Sequence, residues 1–318
     1  MRVSKRIQKI FRAFGTLNSF TVYGDIYEGI LDKARDMLLM FHSLWSVFDP
    51  GSEISLINRH AGERAVTVSD DTFRIIELAQ QYHRDTFGTY DITAGLLYEI
   101  WKKALSEQKL PDLDNIRGIA QKHADTVKDS RTIELDAGRS AVRLRKGAAL
   151  DLGGIAKGYA ANAVRNMFID AGINHAMINL GGSVTVIGNG HNVGIRNPFS
   201  PDTGIIGHIQ LSDRSMVTSG TYEQCFIQNG NCFHHVIDPR TGLPADSGLV
   251  SATLIGNDPT ALDAYATAVL ILGAEQGLPF LLNKEMDAVM ITNEGSVLIT
   301  PGLKDRYTPN LKIQNIGG

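Results

Sequence analysis

Cysteine is almost absent: Cys225 and Cys232 are the two in 318 residues. They stand seven apart without metal-ligand spacing, which excludes a thiolate zinc site and leaves reduced thiols or a hairpin pair. An excess of charge is missing too. The net charge is −3, so no sequence-wide basic field points to nucleic acid. No stretch reads as the ~18–20 apolar residues a membrane helix needs, so no transmembrane segment is expected. The N-terminus, MRVSKRIQKIFRAFGTLNSF, is basic but lacks an apolar signal core and a cleavage site. It reads as a plain basic leader, and the expected address is cytoplasmic, or periplasmic and membrane-anchored if the chain is trimmed. A GxGxxG and a Walker sequence are lacking, so a dinucleotide fold of the usual kind has no support. GxSxG is lacking as well, which removes hydrolase-elbow chemistry. Internal repeats and low-complexity runs are absent.

What is present is apolar mass. Hydrophobic residues make up 43% of the chain, enough for a large core in one big domain or two interlocked ones. Residues 14–24 alternate as a strand. Ile30, Ala34, Met37, Leu38, Phe41 and Trp45 form one stripe and predict a helix over 28–47. Pro50 and Gly51 end it, and Ser52 stands at an N-cap position before a short run. A second helix is predicted over 71–86, with Phe73, Ile76, Ala79 and Tyr82 inward. Another starts near Thr93, and small surface helices are expected over the charge-mixed 105–130. Strands then dominate: TIEL, AVRLRKGAAL, a buried strand broken at Gly181-Gly182, HNVGIRNP, TGIIGHIQLS, SMVTSG and LVSATLIG. Helices are expected over 155–170 and 259–272, and a terminal hairpin turns at Asn293–Gly295. Helices early and strands late predict an α+β fold with largely antiparallel sheets.

The stretch DLGGIAKGYAANAV, Asp151 to Val164, organises the rest. A glycine pair makes a tight turn into a helix, with Ile155, Tyr159, Ala163 and Phe168 at helical spacing. Paired glycines permit unusual dihedrals and close approach of a ligand. Free amides at a helix start favour an anion, with Lys157 in the first turn. Downstream, Asp263 and Thr267 share one helix face. A carboxylate with a hydroxyl suits a hard cation such as Mg²⁺, and the Gly154 carbonyl can add a third oxygen. Alone, such a pair is more often a cap and a packed hydroxyl. His234 and His235 precede a strong turn signal, DPRTG, and strand alternation puts them on opposite faces. One of them can therefore do acid–base work near neutral pH. Three more glycine-bearing or polar loops stand out: Thr89-Tyr90-Asp91, Leu180-Gly181-Gly182-Ser183 and Thr218-Ser219-Gly220-Thr221. Phe48 sits at a helix break, where an aromatic can cover a planar ligand.

Seven segments in order then resemble one family. AFGTLNSFTVYG, FDPGSEISLIN, GTYDIT, DLGGIAKGYA, VTSGTY, HHVIDPRTG and LDAYATAVLILG look like the motifs of the ApbE flavin transferases. The resemblance covers nearly the whole chain. It implies an ApbE-like, T-fold-like α+β architecture over 1–318 as a single domain, with room for two interlocked subdomains and an FAD site between them. It implies Mg²⁺-dependent transfer of FMN from FAD to a Ser or Thr hydroxyl of a partner flavoprotein, releasing AMP. Phe48 would stack on the isoalloxazine ring. Thr89, Tyr90 and Asp91 would line the flavin or adenine pocket, and Asp151 and Lys157 would contact FAD. Ser219 and Gly220 would lie near the flavin. The Gly154 carbonyl, Asp263 and Thr267 would hold Mg²⁺, and His235 would be the catalytic histidine, with Asp263 the second catalytic group. Phe48 departs from relatives that carry Tyr or Trp. An FAD pyrophosphatase and a non-catalytic FAD-binding protein are the competing readings.

Overall fold

The computed structural model describes residues 6–24, 29–127, 132–200 and 204–310. The first five residues of the basic leader, Glu28 of the first predicted helix, the end of the 105–130 stretch and the first residue of TGIIGHIQLS lie outside the described residues. The chain divides into two units, 1–41 with 157–222 and 248–318, and 42–156 with 223–247.

In the first unit, tight turns with positive φ set the strand pairing. Phe14-Gly15 (φ 52° and 69°) closes the hairpin Arg6–Ala13/Thr16–Tyr23. Gly181-Gly182 (φ 61° and 98°) closes Ala176–Leu180/Ser183–Ile187. Two consecutive positive φ values match the twist of the flanking strands, and glycine adopts them without strain. A Cβ at Gly181 would also stand 2.6 Å from Thr16 Cγ2. These hairpins join an eight-stranded sheet in the order Arg6–Ala13, Thr16–Tyr23, Ala176–Leu180, Ser183–Ile187, Ser215–Gly220, Leu249–Gly256, Asp287–Thr292, Val297–Ile299. Every neighbouring pair is antiparallel.

Both faces of this sheet are covered, which is why Ser183–Ile187 is buried throughout instead of alternating. On one face Val184, Val186, Met216, Ile255, Val289 and Ile291 pack with Val193, Ile195, Ile209 and Leu211 of a small sheet, strands His191–Arg196, Ile205–Leu211 and Tyr307–Pro309. Helices belong to the other layer. Phe168 of the Ala156–Asp170 helix meets Phe20 edge-on, with centroids 5.8 Å apart. The Pro259–Asn283 helix lies along strands Ser215–Gly220 and Leu249–Gly256.

The second unit is built from helices Glu53–Arg59, Asp70–Asp85, Gly95–Glu107 and Leu113–Val127, with small sheets. Ser52 and Ser69 cap the first two, each accepting a backbone N–H three residues on. Glu53 reaches across to the Ser69 N–H at 2.8 Å. Leu97, Trp101, Ile116, Ala120, Phe226 and Ile237 form its core, and the Trp101 indole donates to the Gly242 carbonyl at 2.8 Å.

Four expectations change. The basic leader is in fact an edge strand from Arg6, with Arg6, Gln8, Ile10 and Arg12 outward and Lys9 on the half-buried face, paired with Asp32. Among its described residues, the 105–130 stretch holds the end of the Gly95–Glu107 helix and one further helix, Leu113–Val127, held down by Ile116, Ala120 and His123. Helical burial follows Ile155, Ala156, Ala160, Val164 and Phe168, with Tyr159 and Ala163 half-buried. The helix expected over 259–272 ends where Gly273 leaves helical geometry (φ 80°, ψ 174°), and a second, unexpected helical run follows to Asn283. Taken together, the two runs are long and apolar enough to cross a membrane by length and composition alone, and half of that apolar window is buried within the protein, as in a core helix.

Candidate active site

In the first unit the two helices of the central motifs touch at glycine. A Cβ at Gly158 would stand 2.2 Å from the Pro259 carbonyl oxygen and 2.8 Å from Asp263 Cβ. That close approach lets the Gly158 N–H donate to Asp263 Oδ2 at 2.9 Å. Asp263 is 4% exposed. One turn on, Thr267 Oγ1 donates back to the Asp263 carbonyl at 3.4 Å and lies 3.2 Å from Ser219 Oγ. Asp263, Thr267, Ser219 and Gly158 are thus one cluster, with Lys157 half-buried beside it in sequence. Gly220 has a steric reason: a Cβ there would meet the Tyr222 ring at 2.4 Å.

The glycine pair of the central stretch behaves differently from expectation. Gly153 and Gly154 are not among the residues with positive φ. The turn is made instead by Asp151, whose Oδ1 accepts the Gly153 N–H at 2.8 Å, and by Leu152, whose carbonyl accepts from Ile155 and Ala156. With Gly158 N–H committed to Asp263, several amides expected to be free for an anion already have partners.

In the second unit a trio forms that sequence reasoning missed in part. Phe48 is 79% exposed, and the Lys102 ammonium stands 5.3 Å above its ring centroid. Lys102 also pairs with the Asp151 carboxylate. Phe48 and Asp151 were expected site residues, and Lys102 binds them together. No local signal marks it, because its partner lies 49 residues away.

Thr89, Tyr90 and Asp91 are buried. The Asp91 carboxylate accepts from Thr93 N (2.8 Å), Thr93 Oγ1 (2.6 Å) and His123 Nε2 (2.9 Å), with His83 Nδ1 at 3.7 Å. Burial pushes its pKa up, but His123, His83 and Thr93 together hold it below the usual carboxylate value. Asp91 therefore braces the loop from within. A cavity of about 130 Å³ beside it, lined also by Ala79, His83 and Thr93, falls well short of the ~300–1,000 Å³ of ordinary ligand sites.

The strand ends at His234, so alternation does not extend to His235. His234 is buried, with Nε2 3.0 Å from the Ala245 carbonyl. Burial lowers its pKa against the opposing pull of that carbonyl and Asp246. His235 is half-buried just past the strand end, its N–H donating to the Gln224 carbonyl at 3.1 Å. The following turn is locked by Asp238, which takes a bidentate pair from Arg240 (2.8–3.2 Å) and accepts the Gly242 N–H on its carbonyl.

Among the described residues no group of three His, Cys, Asp or Glu side chains forms a metal cluster. A hard cation that keeps several waters needs no such group. Asp263 fits one: its Oδ2 is held by an amide, and the Thr267 hydroxyl, which meets the Ser219 hydroxyl, lies one helical turn on. Gly154, the third expected ligand, belongs to the second unit.

Comparison with known proteins agrees with these motifs. The model of the ApbE family matches residues 14–290. A Klebsiella pneumoniae protein named FAD:protein FMN transferase is 31% identical over 284 residues, covering 89% of this chain and 88% of the relative. A Treponema pallidum protein of the same name is 30% identical, covering 95% and 89%. The solved ApbE protein of Thermotoga maritima superposes with a TM-score of 0.85 at 26% identity, covering 94% of this chain and 98% of that one. The Vibrio cholerae flavin transferase ApbE, at 20% identity and a TM-score of 0.81, shares the fold. With the motifs in order, the glycine-mediated helix contact in place and relatives matching over nearly their whole length, this chain belongs to the ApbE family.

Proposed function

We propose that this chain is a flavin transferase that moves the FMN part of FAD onto a Ser or Thr hydroxyl of a partner flavoprotein, with AMP as the leaving group. Family membership and the names of the relatives support flavin transfer. The observation that carries the chemistry is the Asp263 carboxylate, oriented by the Gly158 amide, with the Thr267 hydroxyl one turn on linking the Asp263 carbonyl to the Ser219 hydroxyl. Asp263, Thr267 and the Gly154 carbonyl are the groups that would hold Mg²⁺. When bound, the ion neutralises pyrophosphate charge and improves AMP as a leaving group.

The remaining roles fall to side chains. Phe48 offers an exposed face for the flavin ring, and Lys102 and Asp151 steady the approach to it. Thr89, Tyr90 and Asp91 form the braced loop of the nucleotide pocket. Lys157 faces the phosphates with its charge, and Ser219 and Gly220 border the flavin. The acceptor hydroxyl attacks the FMN phosphorus, the bond to the AMP phosphate oxygen breaks, and His235 takes the hydroxyl proton.

The test is incubation with FAD and Mg²⁺, with and without a candidate acceptor, followed by mass spectrometry. FMN on the acceptor together with free AMP is the expected result. FMN and AMP released equally without an acceptor would make the chain a pyrophosphatase. Bound but unconverted FAD in both arms would make it a binding protein.

A further inference from the structure

The hairpin Cys225–Gln228/Asn231–His234 carries both cysteines of the chain. Cys225 pairs with His234 and Ile227 with Cys232, so the two cysteines lie on one diagonal of one face. The opposite face is anchored. Phe226 stacks on Phe233 with centroids 5.4 Å apart, and Phe233 stacks on Trp101 at 6.1 Å. Asn229 and Gly230 turn the chain with φ of 53° and 79°. A two-stranded ribbon with such a turn twists strongly, which shortens one diagonal. Both thiols are exposed and unbridged. The Cys232 thiol is raised to about 11, by burial first and then by the hydrogen-bonding Cys225 thiol beside it.

We propose that Cys225 and Cys232 are a reversible dithiol site for small disulfides of the glutathione type. Cys225 is the attacking group and Cys232 is the resolving one. The Cys225 thiolate attacks one sulfur of the small disulfide and expels a thiolate. Cys232 then loses its proton and attacks the Cys225 sulfur, expelling the second thiolate. Two protein thiols and one small disulfide become one cross-strand disulfide and two small thiols. The new bond clamps the strand pair at the rung before His235, whose N–H bonds the Gln224 carbonyl. The site therefore ties the redox poise of the surroundings to the segment that delivers that histidine.

The test treats the full chain with excess oxidised glutathione, quenches with an alkylating agent, and reads intact mass and a peptide map. The expected product is monomeric, two hydrogens lighter, unalkylated, and mapped as a Cys225–Cys232 link that dithiothreitol reopens. Cys232→Ser should accumulate one glutathione on Cys225. Two stable glutathione adducts on the native chain, a disulfide-linked dimer, or full alkylation of both thiols would each overturn the proposal. A Cys232→Ser chain that takes no glutathione, beside a Cys225→Ser chain that does, would overturn the assigned order of attack.

Discussion

Gly158 donates its backbone N–H to Asp263 Oδ2 at 2.9 Å, across a helix contact with no room for a methyl group. The carboxylate is therefore aimed by packing between two helices. Gly158→Ala must push those helices apart, and overpacking of this kind costs about 1–3 kcal/mol. A lower Tm is expected, with a higher Mg²⁺ requirement for turnover. A variant with unchanged Tm and an unchanged Mg²⁺ titration would show that the contact yields freely.

Asp263→Ala should abolish turnover in Mg²⁺ and leave the fold in place. A hard-cation site with few protein oxygens does not survive loss of its carboxylate. Circular dichroism checks the fold, and FMN transfer at limiting Mg²⁺ checks the site. Undiminished transfer there removes Asp263 from the metal assignment.

Phe48→Ala should weaken FAD retention more than it slows chemistry at saturating FAD, because stacking acts on ground and transition states alike. At 79% exposure the ring adds little to the core, so the Tm should stay put. Lys102→Met leaves Asp151 without its cation and should raise KM for FAD in the same direction. Wild-type FAD affinity in both variants would exclude the trio from the flavin site.

His235→Ala should lose roughly 10²–10⁴-fold in rate and the dependence on a group titrating near neutrality. His234→Ala should keep its rate and lose stability. Burial lowers the His234 pKa, so below the unfolded value of 6.5 the unfolded chain binds a proton the folded chain refuses. Stability should thus fall from pH 7 toward pH 5 in the native chain, and less steeply in His234→Ala. Denaturant midpoints at each pH read this slope. A dead His234 variant beside a healthy His235 one would reverse the two roles.

Asp91 gives the opposite end of the pH range. Against the upward push of burial, its pKa is held below the usual 3.8 by His123, His83 and Thr93. The stability it contributes is full above that value and is lost as pH falls through the lower, folded one. Asp91→Asn should therefore be less stable at neutral pH and flatter in acid below about pH 4. Equal acid slopes in the two chains would show that the loop does not depend on this charge.

Local chemistry was legible in the sequence. Ser52 caps its helix because the signal lies within three residues, and Asn293–Gly295 turns because Gly295 supplies a φ of 88°. The edge strand from Arg6 was hidden because its outward face mixes arginines with Gln8 and Ile10 and its inward positions before Ala13 are only half-buried. Gly273 reads as a stop signal and does break the helix, while Pro279 sits inside the second run, which ends at Asn283. At the site, motif order pointed to Asp263 and His235. Lys102 was missed since its meaning comes from contacts far along the chain, and the true reason for Gly158 is a neighbour at residue 259.

The sheet order also sets a timetable for synthesis. The hairpin ending at Tyr23 must dock on the strand starting at Ala176, and residues 42–156, all assigned to the second unit, emerge from the ribosome in between. At the usual pace of translation the wait is roughly ten to thirty seconds. Throughout it Phe20 and Val22, fully buried at the end, stand on an open sheet edge without their partner. The newborn chain therefore carries this open edge until more than half of the protein has been made, and a chaperone that holds its first twenty-odd residues would act throughout that interval.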